Sequence, residues 1–118
     1  MAGQVAPVGY ANSDEKTWAL IAHFGGAVTG FIAPLVAFLV KGNESATVRA
    51  HALQALNFQI TWAIATVVAV ILSIVSCGVL FFLPFVTWIV IVIFSILGGV
   101  KANEGVVYKY PMSIELIK

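Results

Sequence analysis

Within "VRAHALQALNFQIT", residues 48–61, the side chains Arg49, His51, Gln54, Asn57 and Gln59 crowd together just before a run that is apolar or small-hydroxyl from Ile60 to Val75. Imidazole, guanidinium and carboxamide groups in such a place can do two things. They can bond neighbouring helices together, or they can line a wet path through a membrane. On a helix at about 100° per residue, His51, Gln54, Asn57 and Thr61 fall within roughly a third of the circumference, while Gln59 lies on another side near Thr66. Such a stripe cannot face hydrocarbon, because each unpaired amide there costs several kcal/mol. It must meet other helices or a water-filled cavity, and His23 is the partner the sequence offers from upstream. Intramembrane amides most often act as interhelical bonds, so structural glue is the preferred reading and a transport groove the second.

Catalysis is not expected. The chain holds no HExxH, GxSxG or P-loop pattern and no cysteine–histidine cluster. Ser13 and Lys16 match S-x-x-K without its companion motifs, and two histidines 28 residues apart do not specify a metal site. No catalytic, cofactor-binding or metal-binding residue is assigned. The single cysteine, Cys77, reads as a small apolar residue near a bend.

The elements that must position the stripe follow from composition. Of 118 residues, 61% are hydrophobic and 9% charged, against about 45–50% and about 25% for a soluble domain. The lipid bilayer is therefore the expected solvent. A net charge of +1 without a basic patch gives no reason to expect nucleic acid.

No charge falls between Lys16 and Lys41, or between Arg49 and Lys101. The first gap holds 24 residues, about 36 Å of helix against a hydrocarbon core of about 30 Å. It reads as one uncleaved crossing, and the second gap as two, divided at "SCG", residues 76–78. The expected architecture is all-α: an integral membrane bundle of three transmembrane helices, at about 17–40, 53–76 and 82–102, with a polar amphipathic start to the second. A flexible polar tail over 1–12 precedes the helical domain, 13–105, and an interfacial tail, 106–118, follows it.

Asn12 or Ser13 can cap the first helix, where Asp14 and Glu15 suit the positive end of its dipole. Ala22, Gly26 and Gly30 form a small-residue ridge for close helix packing, and Pro34 predicts a kink near Gly30. Tyr108 and Tyr110 fall where interfacial aromatics usually sit. A rival layout lays residues 45–58 on the membrane surface as an amphipathic helix.

Three stretches, "DEKTWALIAHFGG", "ESATVRAHALQALNFQIT" and "KANEGVVYKYP", give the chain a resemblance to bacterial membrane proteins grouped as domain of unknown function 4870. That group is distantly similar to the import-channel subunit of the chloroplast inner-envelope translocon. The resemblance implies a multi-pass helical bundle without established enzymatic activity. By position it makes His23, Arg49, His51, Asn57 and Gln59 the polar signature.

With three spans, the Lys/Arg balance puts the C-terminus in the cytoplasm and the N-terminus outside a bacterial inner membrane. The expected function is a non-catalytic accessory or scaffold subunit, self-associating or joined to a larger membrane complex through Ala22, Gly26 and Gly30. The alternative is an oligomeric transport or translocation pore lined by His51, Gln54, Asn57 and Thr61.

Overall fold

A computed structural model describes residues 9–117; the tail expected over 1–12 lies outside the described residues as far as residue 8. Four helices follow in order: α1 (Ser13–Thr29), α2 (Ile32–Lys41), α3 (Ala46–Val75) and α4 (Leu83–Asn103). The described residues contain no β-strand, so the chain is an all-helical bundle.

Only α3 and α4 are long and apolar enough to cross a membrane, and the expectation of three spans is corrected here. The first apolar run does not continue through Gly30; it turns back. Gly30 ends α1 with φ 71°, a backbone region that glycine enters without the clash a Cβ brings. The Thr29 hydroxyl accepts the otherwise free amide of Ala33 at 3.0 Å. Pro34 then sits in the first turn of α2, where a missing N–H leaves no bond unmade. The expected kink is thus a full stop and a reversal.

Contacts at the base of the hairpin confirm its direction. Lys41 at the end of α2 lies 3.2 Å from Asp14 at the start of α1. Ser45, which caps α3 through the amide of Val48, donates its hydroxyl to Glu15 at 2.5 Å. That bond, followed by the Ala11 amide, holds the Glu15 carboxyl below the usual carboxylate range. Both ends of the hairpin therefore share one end of the molecule.

The molecule is an elongated body of 52 × 23 × 22 Å. At its charged end, the head, α1 packs on the first half of α3 and the last half of α4, and α2 packs on α1 and α3. Small side chains, Ala22, Ala37, Ala52 and Ala55, let these helices approach, and Phe58 and Tyr110 fill the centre. Below the hairpin tip only α3 and α4 continue, as a two-helix stem with exposed Ile71, Ile74, Phe81 and Phe85. Thr66 and Thr87 bond across this pair at 3.0 Å.

Residues 46–58 make up nearly all of the stretch that the surface-lying alternative concerns, and Ser45 caps them. They belong to one continuous helix of 30 residues in which Val48 and every residue from Ala50 to Gln59 are buried.

Candidate functional site

Two aromatic-ring side chains from each half of the head meet at its centre. Tyr10 comes from the segment before α1, His23 from α1, His51 from α3 and Tyr110 from the C-terminal tail. The Tyr10 hydroxyl donates to the Ala102 carbonyl at 2.5 Å and lies 3.3 Å from His51 Nε2. His51 Nδ1 lies 3.1 Å from His23 Nε2, and His23 Nδ1 lies 2.6 Å from the Tyr110 hydroxyl.

For neutral rings the proton positions follow by elimination. Tyr10 has spent its one hydrogen on Ala102, so it accepts from His51 Nε2–H. That leaves His51 Nδ1 as an acceptor for His23 Nε2–H, and His23 Nδ1 as an acceptor for Tyr110 O–H. The four groups form one directed chain, Tyr110 to His23 to His51 to Tyr10 to the α4 carbonyl. Burial, then the neighbouring Tyr108, raises the Tyr110 hydroxyl above its usual range and keeps it a donor.

Space for this chain comes from Gly98. A Cβ there would stand 2.2 Å from the Tyr110 hydroxyl and 2.6 Å from His23 Nδ1. The rings then stack outward, Phe58 on Tyr110 with centroids 4.5 Å apart. The nitrogens and hydroxyls lie in series and do not converge on one point. Among the described residues no three His, Cys, Asp or Glu side chains gather as metal ligands.

The remaining stripe residues grip the tail. Gln54 Oε1 accepts the Tyr110 amide at 3.2 Å. Asn57 Oδ1 accepts the amides of Leu116 and Ile117, and its Nδ2 donates to the Ile117 carbonyl. Thr61 accepts the amide of Ile114, while Trp62 donates to the carbonyl of Met112. The stripe reads main chain, so the side chains of Met112, Ile114 and Leu116 are left exposed. We expect Asn57→Leu to release residues 111–117 at a loss of about 2 kcal/mol, from three bonds of about 0.5–1.5 kcal/mol each. Amide hydrogen exchange at Leu116 and Ile117 should accelerate at least tenfold, and unchanged protection would disprove the clamp.

The other sequence-assigned residues divide. Gln59, off the stripe, bonds Ser95 on α4 at 2.7 Å, deep in the head. Gly26 packs against that same carboxamide, whose Nε2 would be 2.7 Å from an added Cβ. Ala22 is fully buried. Gly30 does not join them: nothing lies within 4 Å of a Cβ built on it, and its role is the turn. Arg49 lies over the Phe38 ring at 4.6 Å, at the base of the α2–α3 seam.

Sequence reasoning missed Tyr10, Ser95, Gly98 and the burial of Tyr110, which was read as interfacial. Gly98–Gly99 was the available signal. Paired glycines in an otherwise bulky apolar helix mark a place where another group comes close.

The resemblance to the domain of unknown function 4870 and to the chloroplast translocon is corrected by comparison with known families, because residues 14–117 match the model of a different one. The three stretches behind that resemblance are those that build the ring chain and the tail clamp. No curated protein and no solved structure matches the chain. The match over residues 14–117 spans nearly the whole sequence, and the chain belongs to the magnetosome magnetite crystal formation protein family.

Proposed function

We propose that this protein is a non-catalytic accessory component of the magnetosome membrane that supports magnetite crystal formation through contacts of its charged head. One observation carries the reading: the stripe is spent internally. Among the described residues no buried side-chain nitrogen or oxygen lacks a hydrogen-bond partner. Groups already paired in this way hold helices and tail in register, and they are poorly placed to handle a substrate. A lumen along His51, Gln54, Asn57 and Thr61 requires the tail main chain to leave, which sets the transport reading second.

The same architecture supports an orientation. The hairpin brings Lys16, Lys41 and Arg49 to the end that also carries Lys101 and Lys109, and residues 50–100 hold no charge at all. Positive charge collects on the cytoplasmic side, so we place the head and both ends of the described chain there. The apolar stem tip then points toward the compartment interior. This replaces the arrangement with the N-terminus outside, which depended on a third crossing.

The test has two arms. In a host lacking the chain, crystal size measured by electron microscopy should change and be restored by the full-length protein. Reconstituted in planar bilayers, the same protein should pass no current above background. Normal crystals in the deletion strain, or a conductance that Thr61→Val alters, would sink the accessory reading.

A further inference from the structure

The hairpin and the stem reach different depths. Gly26 packs at Gln59, and Phe31 lines one groove with Ala63, Val67 and Val68. On the other side, Gly30 and Phe31 share a pocket with Trp88 and Ile91 of α4. The hairpin tip is therefore level with the middle of α3 and the first third of α4. Beyond it α3 runs on from Val67 to Val75 and joins α4 through the Ser76–Phe82 turn.

The hairpin is also built to be immersed. Val28 at its tip is 87% exposed and Leu39 is 65% exposed, and Phe31, Ile32 and Val36 are open beside them. An apolar face of that extent belongs in hydrocarbon, while Asp14, Lys41 and Glu44 at the base belong among headgroups. The ten residues of α2 rise about 15 Å and the uncharged part of α1 from Trp18 to Thr29 about 18 Å, each roughly half of a hydrocarbon core of about 30 Å. Four helices thus occupy the leaflet on the charged side, and two occupy the other.

We propose that this juxtaposition, a one-leaflet hairpin packed on a two-helix stem, makes the protein a wedge whose ligand is a curved lipid surface, convex toward the charged end. Each helix of 10–12 Å diameter occupies about 80–110 Å² of leaflet area. The charged-side leaflet therefore carries the area of two additional helices. A bilayer given extra area on one side relaxes by bending with that side outward, and proteins that wedge one leaflet bind in proportion to that bend. On a closed vesicle with the head outside, the curvature favoured is that of a small compartment. The inference needs the chain in a bilayer but not its part in crystal formation, so the two readings fail separately.

The test uses full-length protein in giant vesicles of phosphatidylcholine and phosphatidylglycerol, with the charged end outside. When thin tubes are pulled outward, labelled protein should concentrate in the tube severalfold over a lipid dye, and more so as the tube narrows. Equal or lower density in the tube overturns the proposal. The variant carrying Ile32→Ser, Val36→Ser and Leu39→Ser changes only outward-facing side chains and should lose the enrichment; retained enrichment also overturns it. Depth gives a check that does not depend on that variant. A fluorophore at Val28→Cys, in a Cys77→Ser background, should be quenched by lipids brominated along the chains of the charged-side leaflet. Quenching from the aqueous phase, or from the opposite leaflet alone, excludes the wedge.

Discussion

Replacing His23 with leucine should destabilise the folded head by about 2–5 kcal/mol, because two buried groups lose their partner and each unsatisfied group costs about 1–3 kcal/mol. The Tyr110 hydroxyl loses its acceptor, and His51 Nδ1 loses its donor. Neither finds water, since Tyr110 and His51 are both buried. Unfolding in mixed micelles, followed by circular dichroism, reads the loss directly. A double-mutant cycle sharpens it. Tyr110→Phe alone removes the hydroxyl from His23 Nδ1, so after His23→Leu the same change should have little left to remove. We expect a coupling of about 1–3 kcal/mol, the range for residues in one network. A His23→Leu loss near 0.5 kcal/mol, the scale of a surface substitution, would show that the directed chain does not hold the head together.

The effect should also reach the tail. Tyr110 is the one buried residue among the described residues of the tail, bonded to His23 and stacked on Phe58. From Met112 onward the main chain bonds α3 side chains at Met112, Ile114, Leu116 and Ile117. Loss of the anchor removes the buried side chain at the head of this segment. Faster hydrogen exchange along residues 111–117 should therefore accompany the drop in stability.

Parts of this site are visible in the sequence, and physics says which parts. The stripe is legible because helical periodicity alone puts His51, Gln54, Asn57 and Thr61 on one face, and hydrocarbon forbids that face to be bare. What covers it is not legible. The tail is read through its main chain, which every residue carries alike, so "YPMSIELIK" bears little mark of its partners. Tyr110 looks interfacial because its burial depends on the gap left by Gly98, a relation between residues that no window along the chain contains. Helix content was equally accessible, and helix direction was not. Twenty-four uncharged residues are long enough to cross, and length cannot distinguish a crossing from a hairpin of the same composition.

That distinction rests on Gly30, and it leads to the second large effect. With φ 71° and ψ −128°, Gly30 occupies a region that side chains with a Cβ enter at a cost of about 1–3 kcal/mol. Its surroundings are open, so Gly30→Leu meets no clash and acts through the backbone alone. Leucine also favours helix by about 0.8–1 kcal/mol over glycine, which pulls Thr29 and Phe31 toward one continuous run. Both terms work against the reversal. We expect Gly30→Leu to open the hairpin in a substantial fraction of molecules, separating Asp14 from Lys41. With cysteines at 14 and 41 in a Cys77→Ser background, crosslinking by a bifunctional thiol reagent as long as the Lys41–Asp14 pair should be efficient with Gly30 present and fall severalfold with leucine. Gly30→Asn should lose it as well, because asparagine's tolerance of positive φ belongs to the left-handed helical region, far from the ψ of −128° found here. Equal crosslinking in all three chains would mean that the contact left at the base, Ser45 with Glu15, sets the reversal unaided. The number of crossings would then be decided at the membrane surface and not at the turn.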